Sequence, residues 1–499
     1  MQSAAQAVIA SWSIPPAASF ALALTAIIYL RGWLLMRRAG VPFVPPWRAA
    51  SFLLGILSLW VALASPLDTF SGFVLTAHML QHMVLMMIAP PLILLGAPLV
   101  PLVRGLPVFA AREFAGPFLN WRVAMRVGNA LIRPAVALII MGAAMFAWHT
   151  PRLYELALAS GAWHEVEHAC FFLASLIFWW PVIQPWPSHT VRPRWMLVPY
   201  LLIGDLQNTV LSAILVFSDR VIYPSYVTMP RLFGFSALGD QAAAGAIMWV
   251  VGSTVFLIPA IVIAVQLLSN RRTAAARVLV PRPEPLMDAI FTVGRRLAFP
   301  SRLLRRRLGN EAVEAFSFVV LFIAAGLCAA ALASGGSDDD DQALRLSQIA
   351  GPFVVSVFAL PGELEAGRSE FNVLVQDRDT LQVVQDANVA LQARDEATSQ
   401  STEAVQASAE DSENKLLQNA EVELPAEGDW TLSVKVVRND TAADVAVPLR
   451  VVKPEGGFSV PWPYIVFGVF AAVLLFSYWR RNRSSGKVGV RSALPDSTG

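Results

Sequence analysis

The chain has 499 residues, 56% hydrophobic and 15% charged, with a formal net charge of +2. Its mean hydropathy of +0.54 excludes a soluble globular protein of this size and points to a polytopic membrane protein in contact with the lipid bilayer. Only two cysteines occur, Cys170 and Cys328, both inside apolar runs, which excludes a disulfide framework, a thiolate zinc site and a Cys-x-x-Cys redox motif.

Apolar runs of spanning length fall at residues 17–36, 48–64, 73–95, 132–148, 166–183, 195–217 and 242–268, and two more at 315–333 and 462–479. Orientation follows from where Lys and Arg lie. They follow helices one (Arg37, Arg38, Arg48), three (Arg104 to Arg133), five (Arg192, Arg194), seven (Arg271 to Arg307) and nine (Arg480 to Arg491). The short segments on the other side hold only Arg152, Arg220 and Arg231. The expected topology is a multi-pass protein of a bacterial inner (plasma) membrane, with its N-terminus outside and its C-terminus in the cytoplasm.

Residues 334–461 differ in composition. Alternating runs such as Phe353-Val354-Val355-Ser356-Val357-Phe358, Glu370-Phe371-Asn372-Val373-Leu374-Val375 and Trp430-Thr431-Leu432-Ser433-Val434 are separated by turn residues and read as a sandwich of about seven strands. Residues 393–415 show no clear alternation. The expected architecture is an all-α polytopic bundle of seven helices (1–270), a basic cytoplasmic linker (271–314) and an eighth transmembrane helix (315–333). An exported all-β, immunoglobulin-like sandwich (334–461), a ninth helix (462–479) and a cytoplasmic tail (480–499) follow. Arg302 to Arg307, an apolar core and Ala331-Leu332-Ala333 have the three-part form of a signal peptide, and are read as an uncleaved anchor.

All six histidines lie in the first 190 residues. His78 and His82 sit four apart in the third apolar run, on one helical face and roughly 7 and 14 Å below its outer start at 1.5 Å per residue. His149 ends the fourth run outside, and His164 and His168 form a second i, i+4 pair where the fifth begins. Five histidines from three helices thus converge on one membrane face, while His189 is read as a surface residue of a cytoplasmic loop. Imidazole is a common ligand of copper, zinc, iron and nickel. Met79, Met83 and Met86 on or beside the His78–His82 stripe favour Cu(I) over Cu(II) if they ligate, though methionine also fills cores. Glu165 and Glu167 are either partners that orient the histidines or solvated loop carboxylates.

A further intramembrane polar group, Asp205 with Asn208, lies near the middle of the sixth run, and Asp240 at the outer start of the seventh can join the histidine face. The sandwich has no His, Cys or Met and so no soft-metal site of its own. No nucleotide-binding loop, Ser-His-Asp arrangement or nucleic-acid signature is present, and the chain is read as a non-enzyme that binds no nucleic acid.

Ser65-Pro66-Leu67-Asp68, Ala77-His78-Met79-Leu80-Gln81-His82, Ala89-Pro90-Pro91, Leu95-Gly96-Ala97-Pro98, Trp148-His149-Thr150-Pro151, His164-Glu165-Val166-Glu167-His168, Phe178-Trp179-Trp180-Pro181, Asp205-Leu206-Gln207-Asn208-Thr209 and Asp240-Gln241 occur in that order. Together they resemble the CtaG family of cytochrome c oxidase assembly factors, in its caa-type branch, over residues 10–270. The resemblance implies a membrane protein that helps form active heme-copper oxidase through copper delivery, with oxidase subunits and a soluble copper chaperone as partners. The family's histidine motifs fall on His78, His82, His149, His164 and His168. Residues 351–452 resemble YtkA-like domains, which suggests a docking module. Two other readings stay open: a heme- or metal-binding redox enzyme, and a metal permease with Asp205 on its path.

Overall fold

The computed structural model describes residues 4–41, 44–107, 122–185, 193–270, 343–360, 364–410, 412 and 414–452. The linker, the eighth and ninth helices, the cytoplasmic tail and His189 lie outside the described residues.

The helices run α1 (Ala4–Ala10), α2 (Pro16–Arg38), α3 (Pro46–Ala64), α4 (Pro66–Ser71), α5 (Leu75–Met83), α6 (Ala89–Leu95), α7 (Leu99–Gly105) and α8 (Arg122–Leu131). They continue with α9 (Pro134–Trp148), α10 (Pro151–Leu158), α11 (Gly161–Ile183), α12 (Leu197–Phe217), α13 (Ser225–Thr228) and α14 (Ala237–Asn270). Five of them begin at proline (α2, α3, α4, α9 and α10), where the missing N–H would have no intrahelical partner anyway and the fixed φ suits the first turn. Among the described residues, six helices are long and apolar enough to cross a membrane, counting Leu75–Leu95 as one, and a seventh if the bent pair α9–α10 forms one span.

Two breaks interrupt these spans beside the histidines. Between α5 and α6, Val84–Ile88 is a π-helical turn, with the Ala89 N–H bonded to the Val84 carbonyl. Its cause is in the sequence: Pro90 and Pro91 lack the N–H groups that the Met86 and Met87 carbonyls would accept in an α-helix. Ser175 Oγ and Trp179 Nε1 of α11 donate to the Met86 carbonyl instead, the latter at 3.3 Å. Between α9 and α10 the axis bends by 70° at His149-Thr150. Pro151 frees the Ala147 carbonyl there, and the Thr150 hydroxyl takes it at 2.7 Å.

The described residues from 343 to 452 are all β. Nine strands form two sheets: β1 (Ala343–Ala350), β2 (Phe353–Leu360), β4 (Gly367–Asp377) and β7 (Gln418–Leu424) in the order β1-β2-β4-β7, and β3 (Leu364–Glu365), β5 (Asn388–Asp395), β6 (Val405–Gln406), β8 (Gly428–Arg438) and β9 (Thr441–Val452) in the order β3-β9-β8-β5-β6. Seven strands are expected from the sequence; the two extra are the two-residue strands β3 and β6, too short to show alternation. The stretch 393–415 holds the end of β5 and β6, joined mostly by turns. The inward residues of both sheets, among them Val355, Val357, Phe371, Val373, Val389, Leu432, Val434 and Val447, share one core.

Strand β4 departs from alternation: Phe371 to Gln376 are all buried. Such continuous burial means a strand covered on both faces. One face belongs to the sandwich core. The other, with Leu374 and with Phe358 of β2, packs against Ala7, Phe70 and Leu232 of the helical part, and Phe73, Val74 and Ala77 border the same cluster.

Candidate metal centre

The site is built where α5 meets α11. Helix α11 starts at Gly161, earlier than the apolar run suggests, so the whole His164–His168 motif is helical. His164, Glu167 and His168 are therefore i, i+3 and i+4 on one face, whereas Glu165 projects about 100° away from His164. Glu167 is buried and Glu165 half-buried. Facing them, His78 and His82 lie on one stripe of α5, also buried.

One ligand atom from each of His78, His82, His164 and Glu167 lies within 4.8 Å of all the others. Glu167 Oε2 is 3.7 Å from His78 Nε2 and 3.9 Å from His82 Nε2. These separations are too long for hydrogen bonds. They are close to what ligands of one ion show: bonds of about 2.0–2.1 Å at tetrahedral to trigonal angles put donor atoms roughly 3.4–3.6 Å apart. Both ring nitrogens of His78, His82 and His168, Nε2 of His149 and His164, and both oxygens of Glu167 are buried without a hydrogen-bond partner. Leaving one such group unpaired costs about 1–3 kcal/mol, so a cluster of them marks a candidate ligand site. Imidazole and carboxylate donors fit a borderline transition-metal ion.

His168 adjoins the group, its ring centroid 4.1 Å from that of His164 and 5.4 Å from that of His82. His149 sits at the α9–α10 bend. Its Nδ1 lies 2.8 Å from the Met145 carbonyl, which fixes the proton on Nδ1 and leaves Nε2 as the lone-pair donor. Phe171, between α9 and the site, has its ring centroid 6.0 Å from His149 and 4.7 Å from His82.

Tyrosines close the pocket at the end facing the sandwich. The Tyr154 ring lies 5.0 Å from His78 and stacks on Tyr223 at 3.8 Å. Its hydroxyl is 2.9 Å from that of Tyr226, which also donates to the Ser71 carbonyl at 2.8 Å. Burial pushes the Tyr226 phenol well above its usual range, so it remains a hydroxyl donor. Tyr223 donates to the His149 carbonyl at 3.2 Å. A tyrosine layer gives no periodic signal in sequence, and these three were not among the expected site residues.

The other polar residues have supporting places. The Asp240 carboxylate accepts from the Leu75 and Thr76 N–H groups at 2.7 and 3.1 Å, capping the start of α5 three residues before His78. Gln81 Nε2 donates to Asp68 at 2.6 Å and to the Ala62 carbonyl at 3.0 Å, tying α5 to α3 and α4. Met79, Met83 and Met86 lie in the hydrophobic core of the bundle. Asn208 donates to the Met248 carbonyl at 3.1 Å, and Asp205, on the same helix, keeps a buried Oδ1 without a hydrogen-bond partner.

This histidine-bearing segment carries the likeness to known proteins. Residues 27–270 match the Caa3_CtaG family, the cytochrome c oxidase caa3 assembly factors. Among curated relatives, an uncharacterized protein of Mycobacterium leprae is 28% identical over 264 residues, covering 50% of this chain and 38% of its own length. One of Mycobacterium bovis is 26% identical over 233 residues, covering 45% and 34%. The matched parts span less than two-fifths of these relatives. No solved structure matches. The match ends at residue 270, and the β region lies outside it.

Proposed function

We propose that this chain is an assembly factor for heme-copper cytochrome c oxidase that binds copper at His78, His82, His164 and Glu167 and hands it to an oxidase subunit. The observation that carries this reading is the group of buried, unpartnered donors on α5 and α11, inside the segment that matches the assembly-factor family. His168 and His149 stand beside it as exchange ligands. The donors come from imidazole and carboxylate without thiolate, which suits an ion that must leave again. Three imidazoles and a carboxylate accept either copper oxidation state, and Cu(I) is favoured if a methionine joins during transfer. The site lies toward the extracytoplasmic side of a bacterial plasma membrane, the side to which the distribution of Lys and Arg assigns the N-terminus and the sandwich. Oxidase subunits and a soluble copper chaperone are the partners on that side.

The test is to replace His78 and Glu167 singly and measure copper bound to the purified chain together with oxidase activity and oxidase subunit abundance in the host membrane. Both copper content and oxidase activity are expected to fall with subunits still present. Normal copper in the oxidase of both variants would contradict delivery.

A permease remains the second reading because Asp205, Gln207, Asn208 and Ser212 of α12 all carry buried oxygens without a hydrogen-bond partner. Copper uptake into proteoliposomes that disappears with Asp205→Asn would favour it. A heme in the histidine pocket is disfavoured: the ring centroids of His78, His82, His164 and His168 lie 4.1–5.4 Å from their neighbours, too close to admit a macrocycle between them.

A further inference from the structure

His78, His82 and His168 are buried, and the end of the bundle formed by Ser71, Tyr226 and Tyr154 lies against His78. That end is the one the sandwich sits on. The face of the β1-β2-β4-β7 sheet that points away from the sandwich core would be solvated in a free-standing sandwich, with polar residues alternating outward. Here it presents Phe358 and Leu374, both buried, and the neighbouring loop adds Leu416 and Leu417. Phe358 meets the ring of Phe73 edge-on with centroids 5.4 Å apart. The Lys415 N–H donates to the Ser11 hydroxyl at 2.9 Å, and Gln376 Nε2 donates to the Arg231 carbonyl at 3.1 Å.

The elements held in this way are the elements that close the pocket. Phe70 and Phe73 flank Ser71, whose carbonyl anchors the Tyr226 hydroxyl. Arg231, held by Gln376, donates through its guanidinium to the Tyr226 and Val227 carbonyls at 2.9 and 3.2 Å. Ala77, bordering the apolar contact, immediately precedes His78. Two independent paths, one apolar through α4 and one polar through Arg231, thus run from the outer sheet face to the Tyr226–Tyr154 pair that lies against His78.

We propose that the sandwich is a removable cover for the histidine pocket: its Phe358/Leu374 face docks on α4 and the segment around Arg231, keeps the tyrosine layer closed, and must let go before an ion is exchanged. The cover rests on the metal-site reading for its purpose but not for its existence. A cover of this kind changes the rate of exchange rather than the ligands.

The experiment uses the full chain in lipid nanodiscs, comparing the parent with Phe358→Asp and with the pair Arg231→Cys/Gln376→Cys. Two rates are read: removal of bound copper by a membrane-impermeant chelator, and labelling of Ser71→Cys by a water-soluble maleimide, which needs no metal. Phe358→Asp is expected to raise both rates by about tenfold or more with copper content at equilibrium unchanged. The oxidised cysteine pair is expected to slow copper removal relative to the same pair reduced, which guards against a Phe358 variant that only unfolds the sandwich. Unchanged labelling and removal in both variants would overturn the cover. If the parent binds no copper, the metal reading fails, and the maleimide rates still decide whether the sandwich covers the pocket.

Discussion

Glu167 Oε2 stands 3.7 Å from Nε2 of His78, across the interface of two helices, with neither atom hydrogen-bonded and both shut away from solvent. A carboxylate and an imidazole at that distance are placed for a shared ion rather than for each other. Glu165, two residues away, lies outside the four-residue group. Glu167→Gln is therefore expected to weaken metal binding by at least about tenfold and Glu165→Gln to leave it near parental. Titration of the purified chain with a competing chelator reads both.

The methionines supply a second contrast. Met79, Met83 and Met86 belong to the apolar core, so Met→Leu at each position nearly conserves volume and is expected to cost less than about 1.5 kcal/mol of stability. Copper content per chain should remain that of the parent. Thermal unfolding and elemental analysis on the same samples check the two statements.

Asp240 acts on the site through α5. Removing its carboxylate with Asp240→Ala leaves the Leu75 and Thr76 N–H groups without their acceptor, an expected loss of about 0.5–2 kcal/mol, and Asp240→Asn is expected to recover much of it. Thermal unfolding of the detergent-solubilised chain measures the difference between the two variants.

Helices α2 and α7 cross backbone against backbone. A Cβ at Gly32 would lie 1.7 Å from the Pro101 carbonyl oxygen, and one at Gly105 1.7 Å from the Ile28 carbonyl oxygen. Neither neighbour is a side chain that can swing away. Gly32→Ala and Gly105→Ala are each expected to cost about 1–3 kcal/mol or more by forcing α2 and α7 apart, seen as lower abundance of folded protein in the membrane.

The sandwich carries its own pH dependence. Asp377 accepts from the Thr380 N–H at 2.9 Å and its hydroxyl at 2.8 Å, and Asp395 from the Thr398 hydroxyl at 2.6 Å and the Ala397 N–H at 2.8 Å. These bonds hold both carboxyls below the usual aspartate range. A depressed folded value stabilises fully above the ordinary aspartate pKa and is lost as pH falls through the depressed one. Asp377→Asn with Asp395→Asn should flatten the acid limb of a thermal-stability profile by lowering stability at neutral pH, with little change at pH values where the parent carboxyls are already protonated.

Much of the bundle is legible in the sequence because its signals are local: apolar runs of spanning length and proline at helix starts. The two histidine pairs are equally plain at i, i+4. Glu167 is not ranked above Glu165 by the apolar run, which starts at residue 166; the helix from Gly161 carries the whole motif and puts residues 164, 167 and 168 on one face. The π turn is encoded in Pro90-Pro91, but recognising it requires knowing which side chains replace the missing donors, and Ser175 and Trp179 are distant in sequence. The matching loops Asp377-Arg378-Asp379-Thr380 and Asp395-Glu396-Ala397-Thr398 form a short repeat that strand-by-strand reading passes over. The outer sheet face is the least legible, because Phe358 and Leu374 read as ordinary strand residues until a second surface covers them.

Copper delivery depends on a nitrogen- and oxygen-ligated ion between α5 and α11. X-ray absorption at the copper edge of the full, copper-loaded chain is the decisive measurement, with the His78→Ala and His82→Ala variants as controls. Imidazole scattering with a light-atom shell and no sulfur is expected in the parent, with loss of that signal in both variants; a sulfur-dominated shell, or an unchanged spectrum without His78 and without His82, would contradict it.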